Sequence, residues 1–174
     1  NEAGSIRALP QQLRHAFEEV SKIEIPQEFK HVRNILVCGM GGSALGGRIL
    51  ASLLYEKITV PLEVNTNYNI PGYIDKNSLV VLSSYSGSTE ETIEAAHEAV
   101  SRQANIFVIA TGGKLVEIAK SNFLTSYIFD PVNNPSGQPR MSLGYSLGAL
   151  LTLFAKCGLT QFGKDEVGSL TKVM

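Results

Sequence analysis

Leu79–Thr92 reads LVVLSSYSGSTEET: an unbroken apolar run, a loop of small hydroxyl residues around one glycine, then acidic residues opening a helix. Leu79, Val80, Val81 and Leu82 lack the polar alternation of a half-exposed strand, so the sequence predicts a central parallel strand buried on both faces. The polar continuation then lies at the strand's carboxyl end. Ser84, Ser86, Ser88 and Thr89 surround Gly87, which lets the backbone turn sharply, and the free N–H groups of the following helix point back into the loop. An anion fits such a place. The competing reading is ordinary helix capping, because Ser88 and Glu91 form an S-x-x-E box.

Outward from this stretch, apolar runs alternate with helical periodicity. Asn34–Cys38 (NILVC) is a second buried strand running into Gly39-Met40-Gly41-Gly42-Ser43, and a helix follows with Leu45, Ile49, Leu50, Leu53 and Leu54 as its apolar positions. Gly46 and Gly47 in its first turns go against helix propensity and imply close approach to a strand or a ligand. Val60–Val64 is a strand whose Pro61 suits a sheet edge. After the serine loop a helix spans about Thr89–Arg102, with Ile93, Ala96 and Val100 inward and His97 near that face as a packing residue. Asn105–Ala110 and Thr125–Phe129 complete five strands. Strands alternating with helices of this length imply βαβ units and a parallel sheet covered on both faces. In such sheets ligands bind outside the carboxyl ends of the strands, where strand order reverses.

The flanks are less regular. Leu13, Ala16, Phe17 and Val20 mark an amphipathic helix from Pro10, expected on the domain's outside. Pro131, Pro135 and Pro139 restrain a polar loop that delivers Arg140, with little entropy left to lose in placing its guanidinium. The segment Met141–Gly158 is apolar nearly all round, which suggests burial against another domain or subunit. Residues 159–174 are weakly patterned. The division expected is therefore 1–33 as helix and connection, 34–158 as the α/β domain, and 159–174 as a linker or the start of a further domain.

At 174 residues and 44% hydrophobic, the chain suffices for one core. A net charge of −1 with both signs dispersed gives no basic stripe for nucleic acid. Cys38 and Cys157 are the only cysteines, without C-x-x-C or histidine spacing, which speaks against a metal site or a disulfide framework and for the cytoplasm. No apolar run spans a bilayer, and the first residues lack the order of a signal peptide.

Several motifs compete. Gly39–Ala44 satisfies the dinucleotide pattern G-x-G-x-x-[G/A], with Glu63 about twenty residues on. A dinucleotide, however, has no need of a second hydroxyl-rich loop. A Walker A loop fails because Arg48 and Ile49 follow Gly47. Gly144-Tyr145-Ser146-Leu147-Gly148 matches the nucleophile elbow, yet no strand precedes it and no histidine follows, so it reads as small residues for helix packing. Glu90 and Glu91 beside the serine loop read as first-turn acids that complement the helix dipole.

Taken together, GMGGSALGG (Gly39–Gly47), SYSGSTEET (Ser84–Thr92) and PSGQPR (Pro135–Arg140) closely resemble the bifunctional phosphoglucose/phosphomannose isomerases, members of the sugar isomerase (SIS) domain superfamily, over about Ile6–Leu159. The resemblance implies a five-stranded parallel sheet sandwiched by helices, of flavodoxin-like order. It implies phosphate held by Ser84, Ser86 and Thr89, the sugar lined by Gly41, Gly42 and Ser43, and Arg140 stabilising an enediolate, with no cofactor and no metal. One departure is Ser88, where the family more often has Asn. The family's proton-transferring glutamate and its ring-opening histidine and lysine lie in a second SIS domain, so this chain resembles an amino-terminal half. The reaction implied is aldose–ketose isomerisation of glucose 6-phosphate or mannose 6-phosphate to fructose 6-phosphate, with this chain alone inactive and a second SIS domain or a second copy as partner. The alternative is a phosphosugar-sensing regulatory domain using the same cradle.

Overall fold

The computed structural model describes residues 1–173; Met174, at the end of the weakly patterned segment, lies outside the described residues. Five strands form one parallel sheet: β1 (Asn34–Cys38), β2 (Leu62–Asn65), β3 (Ser78–Ser84), β4 (Asn105–Ala110) and β5 (Thr125–Ile128), in the order β2-β1-β3-β4-β5. β3 is buried along its whole length, as its unalternating apolar run requires, and the strand after Pro61 is an edge.

Seven α-helices surround the sheet among the described residues: α1 (Glu2–Arg7), α2 (Leu9–Lys22), α3 (Gly42–Leu54), α4 (Glu90–Ser101), α5 (Gly113–Ser121), α6 (Leu143–Lys156) and α7 (Lys164–Val173). Because successive strand residues face opposite ways, Ile35, Val37, Leu79, Val81, Phe107 and Ile109 pack on α2, α3 and α6. Leu36, Val80, Leu82, Ile106 and Val108 pack on α4 and α5. The expected three-layer α/β sandwich is present.

Three expectations about the helices change. The inner face of α3 is made by Ala44, Gly46, Gly47, Leu50 and Leu54, while Leu45 and Leu53 are 41% and 55% exposed. The glycines permit this: a Cβ on Gly47 would lie 2.8 Å from Val37 Cγ1, and one on Gly46 2.7 Å from Ser146 Oγ. On α4, Thr92, Ala95, Ala96 and Ala99 are buried and the expected Ile93 and Val100 pack partly buried against the same core, leaving His97 exposed rather than packed. α2 lies on the outside as expected, with Arg14, Glu18 and Lys22 exposed and Leu13, Ala16 and Val20 fully buried against α6; Phe162, just before α7, stands edge-on to Phe17, and α7 buries Val167.

Most consequentially, the apolar surround of α6 is covered from within the chain. Every residue from Gly144 to Phe154 is buried, with α2 and α3 packed on the helix. The burial that its composition demands therefore requires no second body. The two glycines of the G-x-S-x-G match serve this packing: a Cβ on Gly144 would sit 2.6 Å from Leu9 O, and one on Gly148 2.9 Å from Leu13 O. The small-residue reading of that motif is the structural one.

Candidate functional site

The strand order reverses between β1 and β3: the chain leaves β1 toward β2 on one side and leaves β3 toward β4 on the other. The loops after these two strands diverge there and open a crevice, as the topology of doubly wound sheets requires. A cleft of about 360 Å³ occupies it, lined by Met40, Gly41, Gly42, Ser43, Tyr85, Ser86, Thr89, Gln138, Pro139 and Arg140. Three motifs separated by as much as a hundred residues thus meet in one place. Six of the seven expected site residues line it; Ser84 does not.

Ser84 lies beneath the loop, 1% exposed, where its Oγ accepts from Gly87 N–H at 3.1 Å and lies 2.8 Å from Thr89 Oγ1. With the Ser84 hydrogen given to Thr89 Oγ1, the Thr89 hydrogen is left for the cleft. Ser86 Oγ accepts from Ser88 N–H at 3.2 Å, tightening the turn, and Ser43 Oγ accepts from Tyr85 N–H at 3.2 Å, joining the first turn of α3 to the serine loop. The S-x-x-E capping box does not form. α4 begins at Glu90 with Thr89 as its N-cap and no side-chain cap, so Ser88 stands one residue too early to bond the first turn. The amino end of α4 thereby keeps uncapped N–H groups beside the cleft, where an anion is favoured.

Gly87 fixes the turn. Its φ is +67°, in the left-handed region, and a Cβ there would stand 1.8 Å from Gly112 O. The loop after β4 clamps the serine loop from outside, since Tyr85 O accepts from Thr111 N–H at 3.0 Å and Thr111 Oγ1 at 2.6 Å, and Gly87 O accepts from Leu115 N–H at 2.9 Å.

The Arg140 segment is held by groups far away in sequence. Gln12, fully buried on α2, donates through Nε2 to Met141 O at 2.8 Å and Asn133 O at 3.0 Å, and its Oε1 accepts from Gly144 N–H at 3.1 Å. Ser5 Oγ accepts from Ser136 N–H at 3.0 Å. Arg140 itself pairs with Glu2 Oε1 at 2.9 Å, both side chains being more than half exposed, so water and salt screen most of that attraction. Its backbone is pressed against α3, for a Cβ on Gly42 would lie 2.7 Å from Arg140 Cα.

The lining carries one permanent positive charge and no carboxylate. Glu90, beside the cleft in sequence, instead accepts from Tyr68 Oη at 3.3 Å. The Cys38 thiol at the end of β1 is no nucleophile: burial pushes its pKa up to about 12, and it stays protonated at neutral pH. The described residues contain no cluster of three or more His, Cys, Asp or Glu side chains suited to a metal ion. The chemistry available is anion binding plus one guanidinium near whatever charge develops. Sequence reading missed Tyr85, Gln138 and Gln12; only Tyr85 and Gln138 had a signal, their place inside the quoted motifs.

A doubly wound α/β domain with its cleft at the topological switch point is the class that fold and site define. The chain belongs to the SIS domain family, whose profile matches residues 28–156. It is 40% identical over 98% of its length to the bifunctional phosphoglucose/phosphomannose isomerase of Caldicellulosiruptor bescii, of which it covers 49%. It is also 40% identical to the protein of the same name from Thermoplasma volcanium, over 70% of this chain and 36% of that one. The chain thus spans about half the length, or less, of the curated relatives it matches. Its fold is shared with the C-terminal domain of glucosamine-fructose-6-phosphate aminotransferase from Francisella tularensis, with a TM-score of 0.64 at 17% identity over 97% of this chain and 51% of that one.

Proposed function

We propose that this chain binds a phosphosugar in the cleft and supplies the phosphate-binding half of an aldose–ketose isomerase site, converting glucose 6-phosphate or mannose 6-phosphate to fructose 6-phosphate within a protein of its relatives' length. The observation that carries this reading is the lining itself: hydroxyls and backbone N–H groups at a helix start, one arginine opposite, and no carboxylate. Ser86 and Thr89 hold the phosphate with the first turn of α4, Ser84 acts through Thr89, and Gly41, Gly42 and Ser43 line the sugar. Arg140 exchanges Glu2 for the ligand and stabilises the enediolate oxygen. Isomerisation also needs a base at the proton α to the carbonyl, which a second SIS domain or a second copy brings to the open side of the cleft. The cytoplasm is the proposed compartment, and a chain with only two cysteines and no disulfide framework fits it.

Ser86→Ala with Thr89→Ala removes two charge-assisted hydrogen bonds, each worth about 1.5–3 kcal/mol. Calorimetric titration with glucose 6-phosphate is expected to give at least tenfold weaker binding; an unchanged affinity puts the phosphate elsewhere and overturns the reading. The 174-residue chain alone is expected to bind but not to turn over fructose 6-phosphate in a coupled assay. Turnover near ~1 s⁻¹, in the ordinary enzymatic range, would mean that the base lies within this chain. The sensing alternative predicts binding with no turnover even in the full-length protein.

A further inference from the structure

Tyr85 touches four segments at once. Its N–H donates to Ser43 in the first turn of α3, its carbonyl accepts twice from Thr111 in the loop after β4, and its ring lies edge-on to Phe129 with centroids 6.1 Å apart. Its phenol oxygen accepts from Asn134 Nδ2 at 3.1 Å. Asn134 is buried and its amide is fully engaged: the same nitrogen donates to Gln138 O at 3.0 Å, while its Oδ1 accepts from Ser136 Oγ at 2.9 Å. Asn134 therefore shapes the turn that presents Gln138 and Arg140 to the cleft, and the phenol of Tyr85 sets where Asn134 stands. Backbone and side chain of one residue join the serine loop to the arginine segment.

We infer that Tyr85 is a positioning residue which, through its hydrogen bond with Asn134, fixes the distance between the phosphate cradle and Arg140, and so selects a phosphate ester long enough to reach both over phosphate alone. This rests on the phosphosugar reading above. A hydrogen bond between half-buried neutral groups orients as much as it stabilises, and removing it leaves the ring packing intact in Tyr85→Phe.

The test is a double-mutant cycle of Tyr85→Phe with Arg140→Met, titrated calorimetrically with inorganic phosphate and with glucose 6-phosphate. Tyr85→Phe is expected to leave phosphate affinity within twofold, which also certifies the fold of the cradle, and to weaken glucose 6-phosphate five- to tenfold. In the Arg140→Met background the same change is expected to cost less than twofold, because the placement of a missing guanidinium no longer matters. Equal losses for both ligands, or independent losses in the double variant, overturn the proposal. Asn134→Ala breaks the same bond from the other side and is expected to repeat the pattern; if Tyr85→Phe does not fold, that variant decides. If the wild-type chain shows no preference for glucose 6-phosphate over phosphate, the phosphosugar reading itself fails, and the variants are not needed to see it.

Discussion

Gly87→Ala is expected to destabilise the chain by roughly 3–5 kcal/mol and to abolish phosphosugar binding. Two costs combine. The residue sits at φ +67°, where an L side chain is strained by about 1–3 kcal/mol. The added Cβ would also stand 1.8 Å from Gly112 O and 2.8 Å from Gly112 C, backbone atoms that no rotamer change can move aside. Nor can the opposing turn retreat freely. Gly113, at φ +70°, already faces Ser86 O at 2.5 Å from its own notional Cβ, and Leu115 N–H is bonded to Gly87 O. Overpacking of this kind adds about 1–3 kcal/mol. The measurement is the denaturant midpoint together with titration by glucose 6-phosphate; a loss below about 1 kcal/mol would show that the two loops separate cheaply.

Gln12→Leu is expected to cost nearly as much, although the volume hardly changes. It strands Gly144 N–H, Met141 O and Asn133 O in a buried seam between α2 and the Arg140 segment. Each unpaired buried group costs about 1–3 kcal/mol, less whatever water regains, so a net loss of roughly 3–4 kcal/mol is expected. The ligand effect separates this variant from a simple core defect: thermal unfolding should fall, and glucose 6-phosphate should bind more weakly even well below the midpoint, because the loop holding Arg140 loses its inner anchor. Full affinity in the folded fraction would make Gln12 a stability residue only.

These two variants also mark where sequence reading succeeds and where it stops. Strands such as Leu79–Leu82 announce themselves because burial on both faces demands an unbroken apolar run, and the glycine and serine loops follow from where such strands end. Gln12 could not be found that way. A glutamine one residue before Leu13 on an amphipathic helix reads as solvated until α6 and the Arg140 segment pack against it on the same side of the sheet. On α3 the glycines do announce themselves, since Gly47 meets Val37 of β1 as close approach to a strand requires, whereas apolar periodicity also offers Leu45 and Leu53, which are exposed. Sequence reading also sent α6 in search of an outside partner, since composition reports that a helix must be buried but not that α2, more than a hundred residues earlier, covers it. The capping box failed by a single residue of register, which pattern alone does not resolve.

The bonds from Gln12 span 129 residues to Met141 and 121 to Asn133, nearly the whole chain. Each βαβ unit, by contrast, closes over a few dozen residues, and long closures are entropically dearer and slower. The two walls of the cleft thus close over very different lengths of chain: the serine cradle is tied by bonds from Ser84 to Leu115, whereas the arginine side needs α2 seated against the start of α6. Binding therefore depends on a seam between α2 and the start of α6 that no local segment of the sequence can supply.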